Sequence, residues 1–234
     1  FLRPCNSPNH TLTAHEVFSM EPTTNRNDAF FRQEYGDLAK NLIGRKVRLA
    51  DTSFYILAAK GFPKEENGGL YEAVTEMSPG GIYCPKSHND CLVLVACHSN
   101  DSIGGCVLVK AIEFADGRVI DGPGRSGRAL GIVTHGTTGT MYEHDGELAL
   151  ALNGAEPPQM EASPSRQTGS ITDVDIRERM AKITKAYLAL RKKEGAKKPG
   201  SDEEKLTFEV FLKRCYACKN TRELGMMLND ATRT

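Results

Sequence analysis

The sequence predicts an α+β fold: a mixed, mainly antiparallel sheet with flanking helices. Three observations predict it. Strand-like runs crowd the middle of the chain with few helical stretches between them, so neighbouring strands join by turns rather than by crossover helices. Turn-forming stretches, "GFPKEENGG", "SPGG" and "SNDSIGG", separate those runs. Apolar residues recur at helical spacing before residue 45 and again beyond residue 171.

Residues 1–27, "FLRPCNSPNHTLTAHEVFSMEPTTNRN", are rich in Pro, Asn and Thr without sustained periodicity, which predicts an extended N-terminal arm. An α+β domain then spans 28–154. It opens with "DAFFRQEYGDLAKNLIG", where Phe31, Leu38 and Leu42 recur at near-helical spacing and Gly44 stops the run. Strands follow at 46–50, 53–59, 80–84, 91–97 and 106–114, and "GELALALNG", 146–154, adds another. Residues 155–170, with their Pro, Ser and Gly, predict a linker. Residues 171–234 predict a C-terminal helical extension. Thr172 and Asp175 suit a capping pair, and Ile176, Met180, Ile183, Tyr187 and Leu190 follow at spacings of four, three, four and three. The basic run "RKKEGAKKPG" ends that helix. Ser201-x-x-Glu204 predicts a second cap, opening a helix through "KLTFEVFLKRCYACKN", and "RELGMMLNDA" predicts a third.

Composition narrows the function classes. Lys+Arg and Asp+Glu both number 30, so no global charge steers the chain toward nucleic acid or membrane surfaces. Only local basic patches can serve. No apolar run approaches the roughly 20 residues a bilayer span needs, so no membrane contact is expected. The chain opens with Phe1, which suggests a processed product and a removed presequence. The seven cysteines (5, 84, 91, 97, 106, 215 and 218) are odd in number and lie mostly in apolar runs. They predict buried free thiols in a reducing compartment and argue against secretion.

The stretch "IDGPGRSGRALGIV", 120–133, contains Gly122-x-Gly124-x-x-Gly127, by spacing a dinucleotide fingerprint. Its context is wrong for one. "ADGRVID" separates it from the strand 106–114, Pro123 stiffens the backbone where phosphate would approach, and Gly131 limits any helix to two turns. A Gly-Pro-Gly turn opening a short packed helix is predicted, and no cofactor is expected. Cys84-x3-His88 and Cys97-His98 fit zinc spacing loosely, but a strand holds Cys91 and Cys97 about 20 Å apart. Cys215-x-x-Cys218 predicts two thiols on one helix face, so no metal is expected. No Ser/His/Asp order, His-Glu-x-x-His or P-loop occurs. Glu65, Glu66, Glu72 and Glu76 fall in turns, where solvated surface is the default. Glu72, in "LYEAVTE", alone has the apolar neighbours that would make it the fallback catalytic acid. Local positive charge sits at Arg45, Lys46, Lys110, Arg125, Arg128 and in 191–198. Each can contact phosphate, helped by backbone N–H groups of the turn at Gly122 and Gly124. Lys110, a cation in the strand "LVKAIEF", either pairs with a carboxylate or faces a ligand groove.

Four blocks, "FFRQEYGDLAKNLIGRKV" (30–47), "SPGGIY" (78–83), "GCVLVKAIEF" (105–114) and "DGPGRSGRALGI" (121–132), are followed by "GELALALNG". Together, and in this order, they resemble the alkyladenine (3-methyladenine) DNA glycosylase family over roughly residues 28–154. The resemblance implies that family's fold, with the glycine stretch as a packed turn and helix beside a nucleic-acid groove. Such enzymes extrude a damaged nucleotide, stack its base between aromatics and hydrolyse the glycosidic bond with a glutamate-activated water. The family carries that glutamate in an E-T-E-A-Y stretch on the second strand. Here the matching place reads "FYILAAKGF", 54–62, with no acid between Tyr55 and Gly61 and no stacking Tyr. The family's following His and Arg-Asn loop falls where this chain has only "PKEENGGLYEAVTEM". The wedge hairpin keeps Tyr83, the pocket Asn becomes Val93, and the strand Arg becomes Lys110.

Loss of a general base costs about 10²–10⁴-fold in rate. The scaffold motifs persist while the chemistry-bearing residues are gone. The expectation is a catalytically inactive, DNA-glycosylase-like protein that serves as a structural or binding subunit of a larger nucleoprotein assembly. Partners would be held through the N-terminal arm and C-terminal helices, with RNA or DNA contact at Tyr83, Lys110, Gly122, Gly124, Arg125 and Arg128. A mitochondrial ribosome is the expected context, with a nuclear or other intracellular site as the second choice. The alternative is an active, divergent DNA-3-methyladenine glycosylase of base excision repair that uses Glu72 as its base.

Overall fold

A computed structural model of the chain describes residues 30–63, 78–83, 93–97, 104–132, 139–144, 146–159, 171–195 and 206–233. The architecture is α+β. The helices are α1 (Tyr35–Leu42), α2 (Pro123–Ala129), α3 (Asp173–Gly195), α4 (Phe208–Tyr216) and α5 (Thr221–Thr232). The strands are β1 (Lys46–Leu49), β2 (Thr52–Pro63), β3 (Gly81–Tyr83), β4 (Val93–Cys97), β5 (Gly104–Phe114), β6 (Val119–Asp121), β7 (Gly139–His144) and β8 (Glu147–Leu152).

Backbone pairing runs β1–β2–β5–β4–β3–β7–β8 and returns to β1, so seven strands curl into a closed circuit. Among the described residues β6 pairs only with β5. Only β1 and β8 are parallel among these pairs, which makes the sheet mixed and mainly antiparallel, as expected. The long strands β2 and β5 form its spine, from Phe54 opposite Phe114 to Pro63 opposite Gly105. Their register shifts between Ile56 and Ala58 and again between Ala58 and Ala59. Such an irregularity re-phases the alternation of side chains and deepens the local twist.

Two apolar clusters follow from this spine. The first gathers Phe54, Ile56, Val107, Val109, Ile112 and Phe114 from β2 and β5 with Leu38 and Leu42 of α1 and Leu130 and Ile132 beyond α2. The second lies on the other face, where Tyr55, Leu57 and Ala111 meet Ile176, Ile183 and Tyr187 of α3, Phe208 and Phe211 of α4, and Leu224 of α5. The C-terminal helices, expected to wrap neighbouring molecules, thus bury their apolar faces against this chain's own sheet.

The capping pair at the start of α3 forms as predicted. Thr172 Oγ1 accepts from the Asp175 N–H at 3.1 Å, and Asp175 Oδ2 accepts from the Thr172 N–H at 3.1 Å. Each side chain satisfies a helix-end donor of the other. The predicted second cap is displaced. Leu206 and Thr207 are not helical, and Thr207 itself caps α4 by accepting from the Val210 N–H at 3.3 Å. Ser201 and Glu204 lie outside the described residues. The strands sit where the sequence predicts them within a few residues; β6 is the short extended piece within "ADGRVID", and β7 has no counterpart among the predicted strands. The N-terminal arm, and the linker beyond residue 159, also lie outside the described residues.

Candidate functional site

The glycine stretch is a turn and short helix, as predicted. Gly122 has φ +106°, open to glycine and strained for other residues, and Pro123 opens α2 as its first residue. At the far end the Ile132 N–H donates to Gly127 O at 2.9 Å and the Gly131 N–H to Arg128 O at 3.0 Å. With Gly131 at φ +75°, this is a left-handed helix stop that turns Ile132 into the core. β6 does precede the turn directly, yet it is antiparallel to β5, and among the described residues no βαβ unit forms for a dinucleotide.

Lys110, Gly122, Gly124, Arg125 and Arg128 come together here. The Gly122 N–H donates to Lys110 O at 2.8 Å, which ties the turn to β5 and removes that N–H from ligand contact. Arg125 folds back over Gly122: a Cβ on the glycine would lie 3.2 Å from Arg125 Nε. Arg128 Nε donates to Gly124 O at 3.3 Å. The side chains of Lys110, Arg125 and Arg128 are exposed, and among the described residues no carboxylate pairs with Lys110. Of the two readings of Lys110, the carboxylate partner is therefore not observed. Tyr83 contributes backbone to β3, paired with Val93 of β4. Arg45 and Arg191 are committed to the fold. Arg45 donates to Gly146 O at 2.5 Å, pairs with Glu143 at 3.5 Å and stands over the Phe30 ring. Arg191 Nη2 donates to Gly117 O at 3.0 Å, fastening α3 to the β5–β6 turn.

The stretch 54–62, where the resemblance would station a catalytic acid, is β2 itself. Ile56 points into the first cluster, while Leu57 and Ala58 face the second. A cavity of about 710 Å³ lies between Leu57–Ala59 of β2 and α3, from Ala181 to Lys193. Among the described residues no carboxylate lines it. Glu72 lies outside the described residues, as do Cys84, His88 and Cys91.

One buried carboxylate escaped the sequence reading. Glu113, on β5, is 1% exposed. Its Oε1 accepts from the Phe208 N–H at 3.0 Å, the first amide of α4, and Oε2 has no hydrogen-bond partner. The Tyr187 hydroxyl, which donates to Leu206 O at 3.2 Å, lies beside it, and burial first and this carboxylate second push its pKa well above the ordinary phenol value. The signal was a Glu within an otherwise apolar strand run. Its role is to receive a helix end, and the C-terminal helices cover it.

The thiols at Cys106, Cys215 and Cys218 are free and buried. Cys215 lies on α4, but Cys218 falls beyond its end, so the pair does not share one helix face as expected. Burial pushes Cys106 up to about 11 and Cys215 up to about 12, leaving both protonated and unreactive at neutral pH. Among the described residues no cluster of His, Cys, Asp and Glu could hold a metal ion. No helix among them is long and apolar enough to cross a membrane. No family model matches the chain, and no curated protein matches it.

Proposed function

We propose that this chain is a catalytically inactive, DNA-glycosylase-like protein that serves as a structural or binding subunit of a larger nucleoprotein assembly, with a mitochondrial ribosome as its context. The ordered sequence blocks supply the family resemblance. One observation carries the loss of chemistry: the segment matching the family's catalytic strand faces α3 across a cavity that, among the described residues, is lined by no carboxylate. A general base must stand within about 2.6–3.2 Å of the water it activates, or reach it through one further water. Leu57, Ala58 and Ala59 cannot take a proton. The exposed cations Lys110, whose carbonyl accepts from the turn at Gly122, and Arg125 and Arg128 of α2 suit contact with a phosphate backbone, which positions a nucleic acid without cleaving it.

The test is incubation of the full chain with duplexes containing hypoxanthine or ethenoadenine. No base release above the blank is expected. Release that Glu72→Gln abolishes would establish the repair-enzyme alternative instead. In native extracts the protein should sediment with a large RNA-containing particle. Sedimentation as a lone, RNA-free chain would overturn the subunit reading.

A further inference from the structure

The geometry points to a binding site for an aliphatic anion, a molecule of the long-chain carboxylate type, in the cavity between β2 and α3. Its volume, about 710 Å³, falls within the range of roughly 300–1,000 Å³ found for small-molecule sites. Leu57, Ala58 and Ala59 of β2 form one wall with Ile43 at the end of α1, and α3 adds Ala181, Leu188 and Ala189. All are aliphatic. Among the described residues the lining holds no aromatic ring on which a nucleobase or sugar could stack.

The polar groups decide the ligand's head. Thr184 Oγ1 already donates to Met180 O at 3.1 Å, and Thr232 Oγ1 to Asn229 O at 3.0 Å, so neither hydroxyl offers its proton to the cavity. Lys193 Nζ donates to Arg233 O at 2.8 Å, closing the end of α5. Lys185 and Lys192 remain. Both line the cavity, both are exposed, and no carboxylate among the described residues pairs with either. They lie two turns apart on α3, so their Cα atoms are separated by about 10 Å along one face. Aliphatic walls with free ammonium groups at the mouth suit a flexible hydrocarbon tail carrying negative charge. A cationic or neutral chain would leave the lysines unmatched.

The experiment uses the full chain, whose lack of Trp leaves the probe's emission window clear. Cis-parinaric acid fluorescence should rise saturably to one site per chain, and dodecanoate should displace it. Dodecyltrimethylammonium, with the same tail and opposite charge, should displace it far less. The double variant Lys185→Glu/Lys192→Glu, changed only at exposed positions, should weaken dodecanoate binding at least about tenfold and reverse the head-group preference. Ala181→Trp, a ring placed over the mouth from an exposed position, should block both probes while the circular dichroism stays unchanged. Non-saturable uptake, equal displacement by the two head groups, or affinity unaltered in these variants would overturn the site.

Discussion

On β5 the side chain of Glu113 leaves an apolar strand and ends on the first amide of α4, so a single carboxylate joins the sheet to the C-terminal helices. A helix start carries unsatisfied N–H groups and partial positive charge, which is the environment a buried carboxylate requires. Glu113→Ala strands the buried Phe208 N–H and is expected to lower unfolding free energy by about 1–3 kcal/mol. Glu113→Gln keeps an acceptor in place and offers the Tyr187 hydroxyl oxygen a donor, so urea titrations should show it losing markedly less. Equal losses in the two variants would mean that packing, not the hydrogen bond, carries the contribution. The buried thiols give a second residue-scale outcome. Peptide-resolved alkylation at neutral pH should leave Cys106 and Cys215 slow in the folded chain and bring them to the free-thiol rate in denaturant. Fast labelling of Cys215 in the native chain would show that α4 undocks.

Among the elements, α3 shows how far local sequence carries. Its reciprocal cap and its apolar stripe were both legible, because each involves residues no more than four apart whose geometry the helix itself imposes. The Thr172 hydroxyl, followed by its backbone N–H, holds Asp175 below its ordinary 3.8. Since the folded-state value is depressed, the cap's contribution is complete above the ordinary carboxylate range and is lost as pH falls through the lower, folded value. An NMR titration of the Asp175 carboxyl should therefore give a midpoint below 3.8, moving back up in Thr172→Ala. The α2 turn was legible for a similar reason, since Pro123 fixes its own φ and Gly122 supplies the positive φ before it. The cap of α4 was not. The cap is Thr207, and the Glu113 acceptor that helps fix Phe208 as the first helical residue comes from a strand 95 positions away.

For the whole molecule, the C-terminal helices complete the fold. They cover Tyr55, Leu57 and Ala111, the outer face of the β2–β5 spine, and supply most of the second apolar cluster. A chain ending at residue 159 would expose that face, and it should bind a hydrophobic dye and aggregate where the full chain does not. Phe211→Ala, in the centre of the cluster and 2% exposed, should cost about 3–5 kcal/mol in urea unfolding. A truncated chain that stayed monomeric with an unchanged melting temperature would show the helices to be an independent unit. For the proposed function this coverage matters, because the strand segment that lacks an acid is also the segment over which α3 lies.

The sequence by itself determined the α+β class, most strand positions, the caps and stripe of α3, and the absence of an acid along 54–62, since alternation, helical spacing and turn chemistry are properties of neighbouring residues. Only the tertiary structure decided that the strands close into a circuit, that the last three helices cover their own sheet, that Glu113 is an anchor and that a lysine-rimmed cavity lies beside β2. Each of these depends on contacts between residues far apart in the chain. Amphipathic patterning marks a face that must be buried but does not name the surface that buries it.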